Sequence, residues 1–80
     1  MYTRPILYLS DYDLCIRCRD GWACVFYDYV KSDAPYEVRY FSDIVEILRY
    51  RYGEWERLDV EPNLICVVKE GEEYCHRDEP

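Results

Sequence analysis

Tyr36-Glu37-Val38-Arg39-Tyr40-Phe41-Ser42-Asp43-Ile44-Val45-Glu46-Ile47-Leu48-Arg49-Tyr50-Arg51-Tyr52-Gly53 changes its hydrophobic period part-way along. Tyr36, Val38 and Tyr40 alternate with Glu37 and Arg39, the period of a half-buried strand. Phe41, Ile44, Val45, Leu48 and Tyr52 then recur at three- and four-residue spacing, which is one apolar helical face. Ser42 or Asp43 can cap the first turn by accepting from backbone N–H groups that lack an intrahelical partner. Asp43 with Glu46 reads as a short capping box. Gly53 suits the left-handed residue that ends a helix, and Arg49 and Arg51 lie where the helix dipole favours cations. The stretch predicts one helix over about 42–52, entered from a strand.

Working outward, Pro5 to Leu9 reads as a first strand, broken by Ser10 to Asp13. Leu14 to Cys18 and Trp22 to Val30 are two further strands around Asp20-Gly21, a dipeptide that tight hairpins favour. That turn would place Ile16 opposite Val25. Lys31 to Pro35 is a loop, and Tyr36 to Phe41 completes a three-stranded meander. Glu54 to Glu61 alternates charged and apolar residues, as a short edge strand or an extended connection does, and Pro62 and Asn63 end it. Leu64 to Lys69 and Glu72 to His76 form a C-terminal hairpin around Glu70-Gly71, and 77–80 reads as a frayed tail. The expected fold is α+β, a small antiparallel sheet with a single helix across one face. Residues 1–80 form one domain with no internal repeat.

The chain has 80 residues, half of them apolar, and ten are tyrosine. A domain of this size buries only about 60% of its unfolded surface, so its core is small. Tyrosine joins a large ring to a polar tip and suits interfaces, although a small sheet also favours aromatics. The net charge of −7 falls mainly on the second half. Such a field repels phosphates and anionic membranes and attracts basic partners, so neither direct nucleic-acid binding nor a membrane role is expected. Met1 to Leu9 has too short an apolar stretch for a signal core, and Trp22 to Tyr27 is too short to span a bilayer. The expectation is a soluble, cytoplasmic chain.

Two of the five cysteines can be placed by counting. A two-residue turn at Glu70-Gly71 sets Lys69 against Glu72 and Cys66 against Cys75. The cysteines then form a non-hydrogen-bonded pair with Cα atoms about 4.5 Å apart, close enough to bridge. A reducing cytoplasm would keep them as thiols. Cys15 and Cys18, with Cys66 or Cys75, offer a weak zinc-type ligand set, because Cys15 and Cys18 on one strand point to opposite faces. The alternative is that they are small buried hydrophobes, and we expect no metal or cofactor.

Catalysis has little to work with. The one histidine, His76, is close to the C-terminus, only three serines and one threonine are present, and no glycine-rich phosphate loop occurs. No enzyme is expected.

Carboxylates carry the remaining signal. Asp11/Asp13, Glu54/Glu56, Asp59/Glu61 and Glu70/Glu72 are i,i+2 pairs that extended chain would align into short negative rows, with Glu73 beside them. Trp55 and Tyr12 lie between members of two pairs and could anchor an interface. Solvated, solubilising faces are the plainer explanation. In size, acidity, aromatic content and its α+β reading the chain resembles the small phage-encoded anti-CRISPR proteins of the DNA-mimic kind. The resemblance is of type and carries no shared motif. It implies a non-enzymatic inhibitor in a bacterial host cell. The inhibitor would cover the DNA-binding surface of a basic protein or CRISPR effector complex, using Glu54, Trp55, Glu56, Asp59, Glu61, Glu70, Glu72, Glu73, Asp11 and Asp13. The rival expectation is an adaptor that binds through Tyr27, Tyr29, Tyr36, Tyr40 or Tyr50. A small zinc-stabilised module is the third.

Overall fold

The computed structural model describes residues 6–28 and 36–79. The Tyr29 and Val30 end of the third strand, the 31–35 loop, Pro5 and residue 80 lie outside them. The order is β1 (Ile6–Tyr8), β2 (Leu14–Cys18), β3 (Gly21–Tyr27), β4 (Tyr36–Phe41), α1 (Ile44–Tyr52), β5 (Arg57–Glu61), β6 (Leu64–Lys69) and β7 (Glu72–Glu79). All pairings are antiparallel, in one seven-stranded sheet ordered β4-β3-β2-β1-β7-β6-β5. The protein is therefore mostly β with one short helix. This corrects the expected α+β arrangement of a three-stranded meander and a separate C-terminal hairpin.

One local fact overturns that expectation. Residues 77–79, read as a frayed tail, continue β7 and pair with β1, with Leu7 facing Asp78 and Ile6 facing Glu79. β1 also pairs with β2, so a three-residue strand joins both halves. Residues 57–61 take the edge-strand alternative expected for this stretch, with Leu58 against Val67 and Val60 against Ile65.

Helix α1 keeps the caps its sequence implies. Asp43 accepts from the Glu46 N–H at 2.9 Å, and the Glu46 carboxylate accepts from the Ser42 N–H at 2.8 Å and the Ser42 hydroxyl at 2.6 Å. Those bonds favour the ionised carboxylate and lower the Glu46 pKa. Gly53, at φ 73°, donates its N–H to the Arg49 carbonyl. The Lys69 ammonium donates to the Tyr52 carbonyl at the same end.

The helix lays Ile47 and Leu48 on a sheet face formed by Leu7, Leu9, Cys15, Trp22, Cys24, Ile65 and Val67. Phe26, Phe41, Ile44, Tyr52, Trp55 and Leu58 close the margins. Each fully buried aliphatic side chain here contributes about 2 kcal/mol from removal of its surface from water.

Glu70 and Gly71, at φ 52° and 80°, make the doubly positive turn that two-residue hairpins prefer. The β2–β3 turn sits one residue earlier than expected, at Arg19-Asp20, so Cys18 faces Gly21 and Leu14, rather than Ile16, faces Val25. Gly21 is needed by packing: a Cβ there would stand 2.3 Å from the Phe41 carbonyl oxygen, at φ 156°. Gly21→Ala should cost about 2–3 kcal/mol through clash and strain. Gly53→Ala meets nothing within 4 Å and should cost about 1 kcal/mol from its positive φ alone. Paired thermal-unfolding curves measure the difference.

Candidate interaction face

Pairing register divides the strand side chains between two faces, and only one carries α1. On the other, two rows run across four strands: Tyr40, Ala23, Ile16 and Ile6, then Val38, Val25, Leu14 and Tyr8. Tyr36 and Tyr27 begin a third, with ring centroids 5.0 Å apart, and Tyr12 from the β1–β2 connection stacks on Tyr27 at 5.4 Å. None of these side chains is charged. Tyr40 is 77% exposed, Tyr36 60%, Val38 53% and Ile16 48%, so the face is open.

An antiparallel sheet with one wet face ordinarily alternates apolar and polar residues. β3, Gly-Trp-Ala-Cys-Val-Phe-Tyr, does not alternate. Its composition is that of a strand covered on both sides. Four strands at ~4.8 Å spacing and three rows at ~6.8 Å give a footprint on the order of 400 Å². That matches the largest apolar patch of a typical monomer, which is often functional.

Beyond β1 the same face turns polar. Arg77 stacks on the Tyr8 ring at 4.4 Å, while the Tyr8 hydroxyl donates to Glu79 at 3.5 Å. Across β7, β6 and β5 the register aligns Arg77 with Leu64 and Glu61, Cys75 with Cys66 and Asp59, and Glu73 with Val68 and Arg57. Four acids, Asp59, Glu61, Glu73 and Glu79, share this half with two arginines. Arg57 is bonded to Asp59 at 3.1 Å and Arg77 lies 3.6 Å from Glu79.

The acids expected to form aligned rows are otherwise dispersed. Asp11 is exposed in the β1–β2 connection. Asp13 turns toward the helix side, accepting from the Tyr27 N–H at 2.8 Å and pairing with Arg51 at 3.5 Å. Glu54 and Glu56 lie outside any strand; Glu54 meets Arg49 at 3.4 Å, and the Glu56 carboxylate accepts from the Glu70 N–H. Glu70 occupies a turn, and Glu72 accepts from the Tyr74 hydroxyl at 3.0 Å. Trp55 packs against the core beneath the Arg49 guanidinium, 3.9 Å from its ring centre, and is half-buried.

Of the tyrosines named from sequence, Tyr27, Tyr36 and Tyr40 share the open face. Tyr50 lies on α1 against Phe26 and Phe41, and Tyr29 is outside the described residues. Sequence reasoning missed Ile16, Val25 and Val38 as members of the surface.

Two disulfides join cross-strand partners, Cys15 to Cys24 and Cys66 to Cys75, with Cα separations of 3.9 and 4.0 Å. Both pairs are nine residues apart, and in each hairpin the cysteines form the fourth pair from a two-residue turn. That shared spacing was a readable signal for the second bridge. Cys15 lies under the helix and Cys18 is a free, exposed thiol on the opposite face, so the rival zinc-type set of Cys15 and Cys18 with Cys66 or Cys75 is not assembled.

His76 is buried and hydrogen-bonds the Tyr52 hydroxyl through Nε2. Desolvation, and then the charge of Arg51, lower its pKa below 6.5, while backbone hydrogen bonds at Tyr8 and Leu9 partly oppose them. No helix among the described residues is long and apolar enough to cross a membrane. No family model, curated protein or solved structure matches the chain.

The His76 shift has a defined sign. As pH falls through 6.5 the unfolded chain takes up a proton that the folded ring resists, so stability declines from there toward the lower folded pKa. His76→Gln should lose less stability than the parent between about pH 7.5 and about pH 5, as read by denaturant titration at each pH.

Proposed function

We propose that this protein is a non-catalytic interaction module whose partner docks on the open face of β1–β4. The observation that carries the reading is the uncharged surface spanning four strands in a protein of net charge −7. Such a surface costs free energy while wet, and a partner that covers it recovers about 25 cal/mol per Å² of apolar area. A footprint on the order of 400 Å² falls short of the roughly 800 Å² per partner of a stable interface. The contact would therefore extend onto the polar half of the face, where acids outnumber bases. The partner that fits presents an apolar patch flanked by Lys or Arg. The exposed aromatics of this chain's own face, Tyr36 and Tyr40, are the anchors, since rigid amphipathic rings dominate interface energetics.

A second reading is favoured by Asp59, Glu61, Glu73 and Glu79 lying on that same face. The module would then block the DNA-binding surface of a basic nucleic-acid-handling protein, such as a CRISPR effector complex, mainly through charge. Interleaved Arg57 and Arg77 make this half unlike a continuous phosphate row, which is why the apolar face leads.

A pull-down from bacterial lysate containing a CRISPR effector complex separates the two. The apolar reading expects a partner that survives a high-salt wash and is lost, about tenfold or more, with Val38→Asp. The opposite result would overturn it: Val38→Asp binds normally, while Asp59→Lys, Glu61→Lys and Glu73→Lys together abolish a salt-sensitive complex.

A further inference from the structure

The polar half of the open face, onto which the proposed contact extends, also holds a cluster of different chemistry. Sulfurs of Cys66 and Cys75 and a carboxylate oxygen of Glu73 all lie within 4.8 Å of one another. We propose that these residues form a binding site for a thiophilic divalent metal of the zinc type, opened by reduction of the Cys66–Cys75 disulfide.

The two disulfides differ in access. Cys15 and Cys24 are both fully buried beneath α1. Cys75 is exposed, and Cys66 is only 4% exposed. Thiol–disulfide exchange requires a thiolate to reach a sulfur, so an external dithiol meets Cys75 first. Its thiolate bonds to the Cys75 sulfur, and the Cys66 sulfur leaves as a thiolate. The reductant's second thiolate then displaces Cys75. The dithiol ends as a disulfide, having given two electrons, and its two protons end on Cys66 and Cys75.

The products suit the metal. Two thiols at a non-hydrogen-bonded cross-strand pair sit on one face, and Glu73, two residues before Cys75, projects to that same side. Zinc takes thiolates at about 2.3 Å and a carboxylate oxygen at about 2.0–2.2 Å, which the opened pair and Glu73 can supply, leaving a fourth position for water. Binding displaces the two thiol protons. Arg57, whose guanidinium feels the Glu73 charge, is hydrogen-bonded to Asp59. Lewis-soft sulfur ligands favour zinc over calcium or magnesium.

The test uses the full chain carrying Cys18→Ser, to remove the free thiol. Graded dithiol followed by alkylation and mass spectrometry should label Cys66 and Cys75 while Cys15–Cys24 stays closed. After removal of reductant under anaerobic conditions, equilibrium dialysis should find one zinc per reduced chain and none per oxidised chain. Cobalt in its place should give a thiolate charge-transfer band. Glu73→Gln, which leaves both hairpin cysteines in place, should weaken zinc binding about tenfold or more. Simultaneous opening of both disulfides, no stoichiometric zinc in the reduced form, or undiminished affinity in Glu73→Gln would overturn the proposal.

Discussion

The pairing of β1 with β7 is the constraint on which the rest of the structure depends. β1 has three residues, and its middle one, Leu7, is fully buried and faces both Cys15 and Asp78. Through it the β2–β4 strands and the β5–β7 strands become one sheet, wide enough for a nine-residue helix to draw core contacts from both sides. Ile65 and Val67 from one half meet Leu7, Cys15, Trp22 and Cys24 from the other beneath Ile47 and Leu48. Either half alone would offer a helix only part of that surface, and a domain this small has little core to spare. The Asp78 N–H bond to the Asn63 carbonyl further ties the end of β7 to the β5–β6 turn.

Local signals were legible where local physics decides. The α1 boundaries followed from Asp43 and Gly53, because orphan backbone groups at helix ends need those residues. The β6–β7 register followed from Glu70-Gly71, since the turn conformation fixes the count. β2–β3 misled because Gly21 looked like a turn residue, whereas its requirement comes from the Phe41 carbonyl, twenty residues away in sequence. The end of β7 was hidden by composition: Glu-Glu-Tyr-Cys-His-Arg-Asp-Glu lacks apolar alternation, and its buried positions are His76 and Asp78. No period-2 hydrophobic pattern could expose such a strand.

The candidate site was legible only in part, for a related reason. Tyrosine abundance pointed to a surface, but assigning each tyrosine to a face requires register. Once register is known, Tyr27, Tyr36 and Tyr40 fall together with Ile16, Val25 and Val38, while Tyr50 goes to the helix side. The i,i+2 carboxylates aligned only where a regular strand holds them, as in Asp59 and Glu61 of β5. Elsewhere turns, caps and inward hydrogen bonds disperse them. On the proposed reading, charge describes the kind of partner the molecule would attract, whereas the apolar face describes where that partner would have most to gain.

The most direct test is solvent paramagnetic relaxation of methyl protons in the free protein, with a soluble relaxation agent. An open β1–β4 face requires strong relaxation of Ile16 and Val38, with Leu7, Ile65 and Val67 protected beneath α1. Ile16 and Val38 as protected as Leu7 would contradict it, because the face would already be covered without any partner.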